Sequence, residues 1–247
     1  MLVYNLIDIE EVDSTNNKAN ELLENKFLPE GTSVISKFQK KGRGLDKNKW
    51  ESEKGKNILL SFILYPIFLN PSMQFLLNQI ISLSVLDFIK CYLSSENVKI
   101  KWPNDIYVDD KKIAGILIEN SIQGDIITQS IAGIGINVNQ KIFKSNAPNP
   151  VSLKNITGEY YDIENCIDRL FLCTAKRYKL LEFGNFTKIN DDYINALYKF
   201  EVNSFYKYKN QKIEARITGI SEYGFLQMLT IENKFIECDL KEIKFLI

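Results

Sequence analysis

The sequence predicts an α+β protein in two unequal parts that meet near Phe200. Before that residue, short strand patterns alternate with long helical patterns. Beyond it, five short apolar segments are separated by turn residues. This pattern is similar to that of a small SH3-like β-barrel. We therefore expect a larger domain over residues 1–200 and a small C-terminal domain over residues 201–247.

The composition excludes several kinds of chemistry. The 247 residues contain no histidine, which rules out a Ser-His-Asp triad and histidine-bound metals. The net charge is +0, so no bulk positive charge is present to attract nucleic acid. The N-terminal residues lack the features of a signal peptide, the apolar runs look too short to cross a bilayer, and the four cysteines lack metal-type spacing. We expect a cytoplasmic protein with no nucleic-acid or membrane partner and no metal site of its own.

The first element is a strand over residues 4–12, and a helix follows that begins at Ser14, Thr15 and Asn16. The simpler interpretation of Ser14 or Thr15 is an ordinary N-cap. The alternative is functional, because the N-terminus of a helix also presents free donors and hydroxyls to a polar ligand. Two strands and a core helix are then predicted over residues 31–38, 56–64 and 70–93.

A basic loop that contains glycine occupies residues 39–50. Gly42, Arg43 and Gly44 lie within it, and four lysines surround a single acidic residue. Glycines allow backbone amides to turn toward an anion, and the positive charges suit a phosphate ligand. The plain alternative is a mobile basic surface loop. Trp50 closes the segment and could either belong to the core or stack on a base.

The most informative stretch begins at Val98, from which apolar residues alternate with lysines up to Trp102. This pattern predicts a strand with one buried face, and Pro103 ends it because proline has no N–H for the ladder. Lys112 lies at the polar end of a later strand and can direct a positive charge into a cleft, while Gly115 allows close approach of a ligand or backbone. The plain alternative is a solvated hairpin with charged turns. The two further strands cover residues 106–108 and 112–119.

Alternating glycines interrupt the strand that is predicted over residues 126–139. Glycine weakens a strand, so the presence of Gly133 and Gly135 requires an explanation. The glycines would either allow a ligand to approach the backbone closely or form a β-bulge. The remaining predictions are helices over residues 163–183 and 191–198, and strands over 204–208, 212–220, 225–231, 234–238 and 243–246.

Four motifs stand in one order along the chain, and together they resemble the biotin–protein ligases over nearly its whole length. The resemblance implies a mixed sheet backed by helices, related to class II aminoacyl-tRNA synthetases, with an SH3-like C-terminal domain. The motifs are Ser14-Thr15-Asn16, then Gln39 with Gly42-Arg43-Gly44 and Trp50, then Lys101-Trp102-Pro103-Asn104-Asp105 with Lys112-Ile113-Ala114-Gly115, and finally Gly133-Ile134-Gly135-Ile136-Asn137.

The resemblance also implies an enzyme that uses biotin and ATP as substrates, with Mg²⁺ brought by ATP. Biotin is first activated as biotinyl-5′-AMP, and a lysine of a biotin carboxyl carrier protein then takes the biotinyl group. The implied catalytic residues are Lys112, Arg43 and Asp105. The implied biotin site comprises Ser14, Thr15, Asn16, Gln39, Gly42, Arg43, Gly44, Lys112, Gly115, Gly133 and Gly135. The implied ATP site comprises Arg43, Trp50, Asn104, Lys112 and Asn137.

The basic loop departs from the family pattern Gly-Arg-Gly-Arg-x-Gly-Arg-x-Trp. Leu45 and Asn48 replace the later arginines, and Lys47 replaces the later glycine. We hypothesise that Lys47 or Lys49 compensates in part. The chain begins at the first catalytic strand, so we expect a monofunctional ligase without the N-terminal DNA-binding domain of some family members. Related enzymes dimerise by an edge strand in some cases, which leaves a homodimer open.

The sequence leaves two alternative functions open. A lipoate– or octanoate–protein ligase would share the fold, but that group typically shows an Arg-Arg-x-Ser-Gly-Gly-Gly segment and a nearby histidine, and neither is present. A non-catalytic biotin or nucleotide sensor is the other rival. The presence of both Lys112 and Arg43 argues against a sensor.

Overall fold

Two separate sheets organise the computed structural model, which describes residues 2–45, 48–93, 97–145 and 149–246. The first sheet has seven strands in the order β1-β2-β3-β7-β6-β5-β4. Only β1 and β2 pair in parallel within it, so the sheet is mixed as expected. Its strands are β1 Asn5–Val12, β2 Thr32–Gln39, β3 Ile58–Leu64, β4 Val98–Lys101, β5 Asp105–Val108, β6 Lys111–Gln123 and β7 Ile126–Ile136.

Helices cover both faces of this sheet, which explains why β3 is apolar along its whole length. Phe62 packs in the main core with α2 and α4, whereas its neighbour Ile63 packs with Ala19 of α1 in a second apolar cluster. Successive residues of a strand point to opposite faces, so both faces of β3 are buried. The helices are α1 Thr15–Asn25, α2 Phe75–Lys90, α3 Leu153–Thr157, α4 Ile163–Glu182 and α5 Phe186–Asn195.

The helix predicted to begin at Asn70-Pro71 is in fact two elements. Asn70 does act as a cap, since its side chain accepts a hydrogen bond from Ser72 N at 2.9 Å. The residues it caps form only a short 3₁₀ turn, Pro71–Met73, and α2 starts afterwards. The helix predicted over residues 191–198 was also placed too late, because α5 begins at Phe186. The short α3 was missed.

One stretch corrects the expectation that every apolar run is too short to cross a membrane. Residues Pro71–Lys90 are long and apolar enough, by length and composition alone, to cross a membrane. However, 61% of this window is buried inside the structure. Its apolar character is therefore that of a core helix, packed against α4 and the first sheet.

The second sheet contains the five C-terminal strands in the order β11-β10-β9-β8-β12, and every described pairing is antiparallel. It contacts the first part of the chain through Trp102, whose Nε1 donates to Gly224 O at 2.9 Å. One buried apolar cluster runs from the first sheet into this one. The division into domains near Phe200 stays a prediction. The strands are β8 Ser204–Tyr208, β9 Gln211–Ile220, β10 Leu226–Thr230, β11 Phe235–Cys238 and β12 Ile243–Phe245.

Candidate active site

A cavity of about 320 Å³ collects residues from all four sequence motifs. It lies over the first sheet, where the glycines of β6 and β7, the start of α1 and the basic loop meet. Thirteen of the fifteen predicted site residues line it: Ser14, Thr15, Asn16, Gln39, Arg43, Gly44, Trp50, Asn104, Asp105, Lys112, Gly115, Gly133 and Gly135. Gly42 and Asn137 do not line it.

The start of α1 forms a polar end of this cavity. Ser14 is the N-cap residue of α1, as predicted, and has an extended backbone, but its side chain makes no capping hydrogen bond. The side chain of Gln39 takes that role, since its Oε1 accepts from Thr15 N at 2.7 Å and from Thr15 Oγ1 at 3.1 Å. Ser61 Oγ donates to Asn16 Oδ1 at 2.6 Å and lies 2.7 Å from Thr15 Oγ1.

The two described sides of the basic loop pair with each other and present Arg43 at the rim. Trp50 N donates to Gly42 O at 2.9 Å, and a Cβ on Gly42 would lie 2.5 Å from Trp50 O. Gly42 therefore allows the two sides of the loop to approach, without itself reaching the cavity. Lys49 pairs with Arg43 through an isolated backbone β-bridge and lines the cavity. Lys47 lies outside the described residues, so its part in the compensation hypothesis has no structural account.

Arg43 is held by Glu119, a residue that no sequence motif singled out. Arg43 Nη2 donates to Glu119 Oε1 at 2.8 Å, and Nη1 donates to Oε2 at 3.2 Å and to Asn17 Oδ1 at 2.7 Å. Asn16 Nδ2 donates to the same Oε2 at 2.7 Å. One carboxylate thus connects the basic loop with the polar end of the cavity. In the sequence, Glu119 is visible only as an acidic residue at the end of an apolar strand.

A register shift between β5 and β6 determines which way Lys112 faces. Asp105 lies opposite Gly115 and Tyr107 opposite Lys112, so β6 has one extra residue between these pairs. Side chains alternate along a regular strand, and residues 112 and 115 would otherwise lie on opposite faces. The bulge brings Lys112 to the face of Asp105. The two side chains form an ion pair with Nζ to Oδ1 at 2.5 Å, and both are about three-quarters buried or more.

Trp50 and Asn16 explain the alternating glycines. The register of β7 with both neighbours is continuous from residue 130 to 136, so the bulge interpretation is wrong there. A Cβ on Gly135 would lie 2.4 Å from Trp50 Cε2, and a Cβ on Gly133 would lie 2.2 Å from Asn16 Oδ1. The glycines therefore make room for these two side chains of the chain itself. Trp50 Nε1 is buried without a hydrogen-bond partner among the described residues.

The two asparagines expected at ATP are both buried but differ in position. Asn104 lines the cavity and donates from Nδ2 to Ile116 O at 2.6 Å, which fixes the turn that carries Asp105. Asn137 donates to Val151 O at 3.1 Å, and its Oδ1 has no partner among the described residues. The roles of these and the other predicted site residues stay predictions.

Lys101 is a further cation that lines this cavity. It begins the third sequence motif but is not among the predicted site residues. Its Nζ lies 5.4 Å from the ring centroid of Tyr107 and 4.8 Å from that of Phe245. Burial lowers the pKa of the Lys101 ammonium, an effect that Asp105 opposes and Lys112 adds to.

The described residues contain no group of three or more acidic or cysteine side chains that could hold a metal ion. Asp105 is the one carboxylate among the lining residues that the structure describes. A magnesium ion brought by ATP would be held here mainly by phosphate oxygens, the kind of ligand that Mg²⁺ prefers.

Comparisons with known proteins agree with this arrangement. A model of the biotin/lipoate A/B protein ligase family matches residues 9–137. The bifunctional ligase/repressor BirA of Bacillus spizizenii is 33% identical over 234 residues, covering 92% of this chain and 70% of the relative. The biotin–[acetyl-CoA-carboxylase] ligase of Paracoccus denitrificans is 28% identical, covering 74% of this chain and 76% of the relative.

A solved structure gives the same result for the fold. The biotin protein ligase from Aquifex aeolicus, in complex with biotin and ATP, has a TM-score of 0.79 at 28% identity and covers 98% of both chains. The chain belongs to the biotin/lipoate A/B protein ligase family. The Paracoccus relative and the Aquifex structural neighbour are both named as biotin ligases.

Proposed function

We propose that this protein is an ATP-dependent biotin–protein ligase, which activates biotin as biotinyl-5′-AMP and transfers it to a lysine of another protein. The observation that carries the proposal is the single cavity in which four separated motifs meet around the ion pair of Lys112 and Asp105. A carboxylate must approach the negatively charged α-phosphate in the first step. A positive charge held at their meeting point reduces that repulsion.

Lys112 is the residue that we assign to this point. It projects from a bulge onto the cavity face and can donate up to three hydrogen bonds. Charge-assisted hydrogen bonds contribute roughly 1.5–3 kcal/mol each. The biotin carboxylate attacks the α-phosphorus, the bond to the oxygen that bridges to the β-phosphate breaks, and pyrophosphate leaves. Lys112 has to exchange its contact with Asp105 for contacts with the two anions during this step.

The second half-reaction requires an uncharged amine. The acceptor lysine attacks the carbonyl carbon of the adenylate, the bond to the phosphate oxygen breaks, and AMP leaves. We assign Asp105 to receive the proton of the incoming ammonium, because it is the cavity carboxylate and becomes available once Lys112 turns to the phosphate. Adenylation and transfer therefore depend on the same ion pair, Lys112 with Asp105.

The polar end of the cavity suits the head group of biotin. Thr15, Asn16 and Gln39 are already held by hydrogen bonds, so they meet the ligand with little loss of conformational freedom. Gly115, Gly133 and Gly135 form the floor on which the ligand would lie, and Trp50 stands against that floor. The Trp50 ring is a surface for adenine once it moves off the glycines.

The acceptor that we propose is the biotin carboxyl carrier protein of a biotin-dependent carboxylase. The resemblance to the ligase of Paracoccus denitrificans supports this choice, since that relative is named for acetyl-CoA carboxylase. We further propose a cytoplasmic location, supported by cysteines that are all free among the described residues.

The test is biotin-dependent exchange of labelled pyrophosphate into ATP. We expect exchange with biotin, no exchange with lipoate or octanoate, and loss of exchange in Lys112→Ala. The matched control is Lys111→Ala, which removes an exposed lysine from the preceding position and should leave exchange intact. Exchange driven by lipoate instead of biotin would assign the protein to the other branch of its family. Biotin binding without exchange would support the sensor.

A further inference from the structure

Two cysteines lie on the contact between α2 and α4, outside the cavity of the proposed reaction. Cys91 directly follows α2, Cys173 belongs to α4, and neither lines that cavity. One turn before Cys91, the carboxylate of Asp87 accepts two hydrogen bonds from Arg177 of α4, with Oδ2 to Nε at 2.7 Å and Oδ1 to Nη2 at 3.0 Å. Arg177 in turn lies one turn after Cys173. Residues four apart share one face of a helix, so each cysteine lies on the face that meets the other helix.

The two helices run in opposite directions, which brings the cysteines to the same level. On the other side of the pair, the Tyr92 hydroxyl donates to Cys166 Sγ at 3.4 Å, so a later residue of one segment meets an earlier residue of the other. One turn forward along α2 from the ion pair leads to Cys91, and one turn back along α4 leads to Cys173. The two thiols therefore lie opposite each other, between an ion pair and a hydrogen bond that join the same two segments.

The surroundings of the pair agree with this position. Burial raises the pKa of the Cys173 thiol to about 11, and the neighbouring Cys91 adds to the rise. The guanidinium of Arg169, one turn before Cys173, hydrogen-bonds with Cys91, and this contact raises the pKa of Arg169. Cys91 Sγ also donates to Asp87 O at 3.3 Å. Cys91 is exposed whereas Cys173 is partly buried, so a small solute reaches Cys91 first.

We propose that Cys91 and Cys173 are a modification site, at which hydrogen peroxide forms a reversible disulfide. The Cys91 sulfur attacks the peroxide, the O–O bond breaks, and a sulfenic acid forms as water leaves. The Cys173 sulfur then attacks the Cys91 sulfur, an S–S bond forms, the S–O bond breaks, and the hydroxyl leaves as water with the thiol proton. Two thiols are oxidised while one peroxide is reduced to two waters. A dithiol reverses the link by exchange, and such transient disulfides are the kind that cytosolic proteins contain.

The experiment treats the whole folded protein with hydrogen peroxide and maps its thiols by mass spectrometry after tryptic digestion without reduction. Trypsin places the two cysteines in separate peptides, residues 91–99 and 170–176, and Cys166 in a third. We expect the first two peptides to appear as one linked species, which a dithiol separates. Cys173→Ser should abolish the link and leave a sulfenic acid on Cys91 that dimedone captures. Cys166→Ser is the matched control, since it removes another thiol from α4 and should leave the link intact.

The linked peptides identify the pairing directly. A link between residues 91–99 and 170–176 in the folded protein supports the proposal. Oxidation of Cys91 while Cys173 stays a free thiol, a link to Cys166, or a covalent dimer through Cys91 overturns it. Oxidation in urea should give mixed pairings of the four cysteines, because the packing of α2 on α4 no longer selects one pair; the same single link in urea would overturn the part of that packing. None of these results depends on activity with biotin, so they are independent of the proposed function.

Discussion

A methyl group at Gly135 should displace the indole of Trp50. Its Cβ would lie 2.4 Å from Trp50 Cε2, whereas carbon atoms in contact are about 3.5–4.0 Å apart. The backbone of Gly135 cannot retreat, because it pairs with Leu59 of β3 on one side and with Gly115 of β6 on the other. The indole must therefore move by about 1 Å or more, and overpacking of this kind costs about 1–3 kcal/mol.

A double-mutant cycle of Gly135→Ala and Trp50→Ala tests this reasoning by urea denaturation. We expect Gly135→Ala to destabilise the protein when Trp50 is present and to have little effect when it is absent, because the clash is then gone. Gly219→Ala is the control, since a Cβ there meets only the end of the flexible Gln227 side chain at 3.1 Å. Additive effects of the two substitutions would show that Trp50 does not rest on Gly135.

Four further substitutions or conditions follow from the contacts of the site. Asp105→Asn should slow transfer to the acceptor by about 10²-fold or more while pyrophosphate exchange persists, as a quenched-flow comparison of the two steps would reveal. Glu119→Gln should speed release of the adenylate several-fold, because the partly exposed pair with Arg43 is worth about 0.2–1 kcal/mol; an unchanged dissociation rate would contradict this. Tyr193→Phe should lower the free energy of unfolding by about 1 kcal/mol in urea, since it removes one of two donors to the Pro103 carbonyl. The lowered pKa of Lys101 means that its charge is lost at a lower pH than for an ordinary lysine, so an NMR titration of its side-chain amine should have a midpoint below the ordinary value, and a midpoint at or above that value would contradict this.

The C-terminal strands were predictable because each turn has its own chemical signal. Lys209, Asn210 and Asn233 adopt positive φ, and Gly224 has a φ of 89°, as turn residues between strands often do. The predicted helix over 191–198 began too late, although Asn185, a residue type favoured at N-caps, precedes the first residue of α5. Asn185 stands at the N-cap position but makes no capping hydrogen bond.

The site residues that lie within a local motif could be predicted from the sequence. Those that join the site through contacts between distant parts of the chain could not. Lys112 and Gly115 could be named from their motif, but the bulge that brings them to one face depends on the pairing of β5 with β6. Ser61 and Glu119 are single polar residues in strands, and they join the site only because the sheet brings them to Asn16, 45 and 103 positions away in the chain. Local pattern contains no information about such contacts.

The sequence also does not show which cations pair with carboxylates. The sequence indicates that the charges of the basic loop suit a phosphate and that Lys112 can direct a positive charge into a cleft, but it does not indicate which cations are paired. Arg43 and Lys112 are neutralised in the folded chain, and Lys101 is left as the buried cation without a carboxylate among the described residues. Counting charges along the sequence could not have separated these cases.

The most direct test of the account is an intact-mass measurement on a biotin carboxyl carrier domain incubated with this protein, biotin and ATP. The account predicts one added biotinyl group on a single lysine, which requires ATP and is absent with Lys112→Ala but present with Lys111→Ala. A carrier domain that stays unmodified with biotin, while a lipoyl domain gains lipoate under the same conditions, would contradict the assignment of biotin as the substrate.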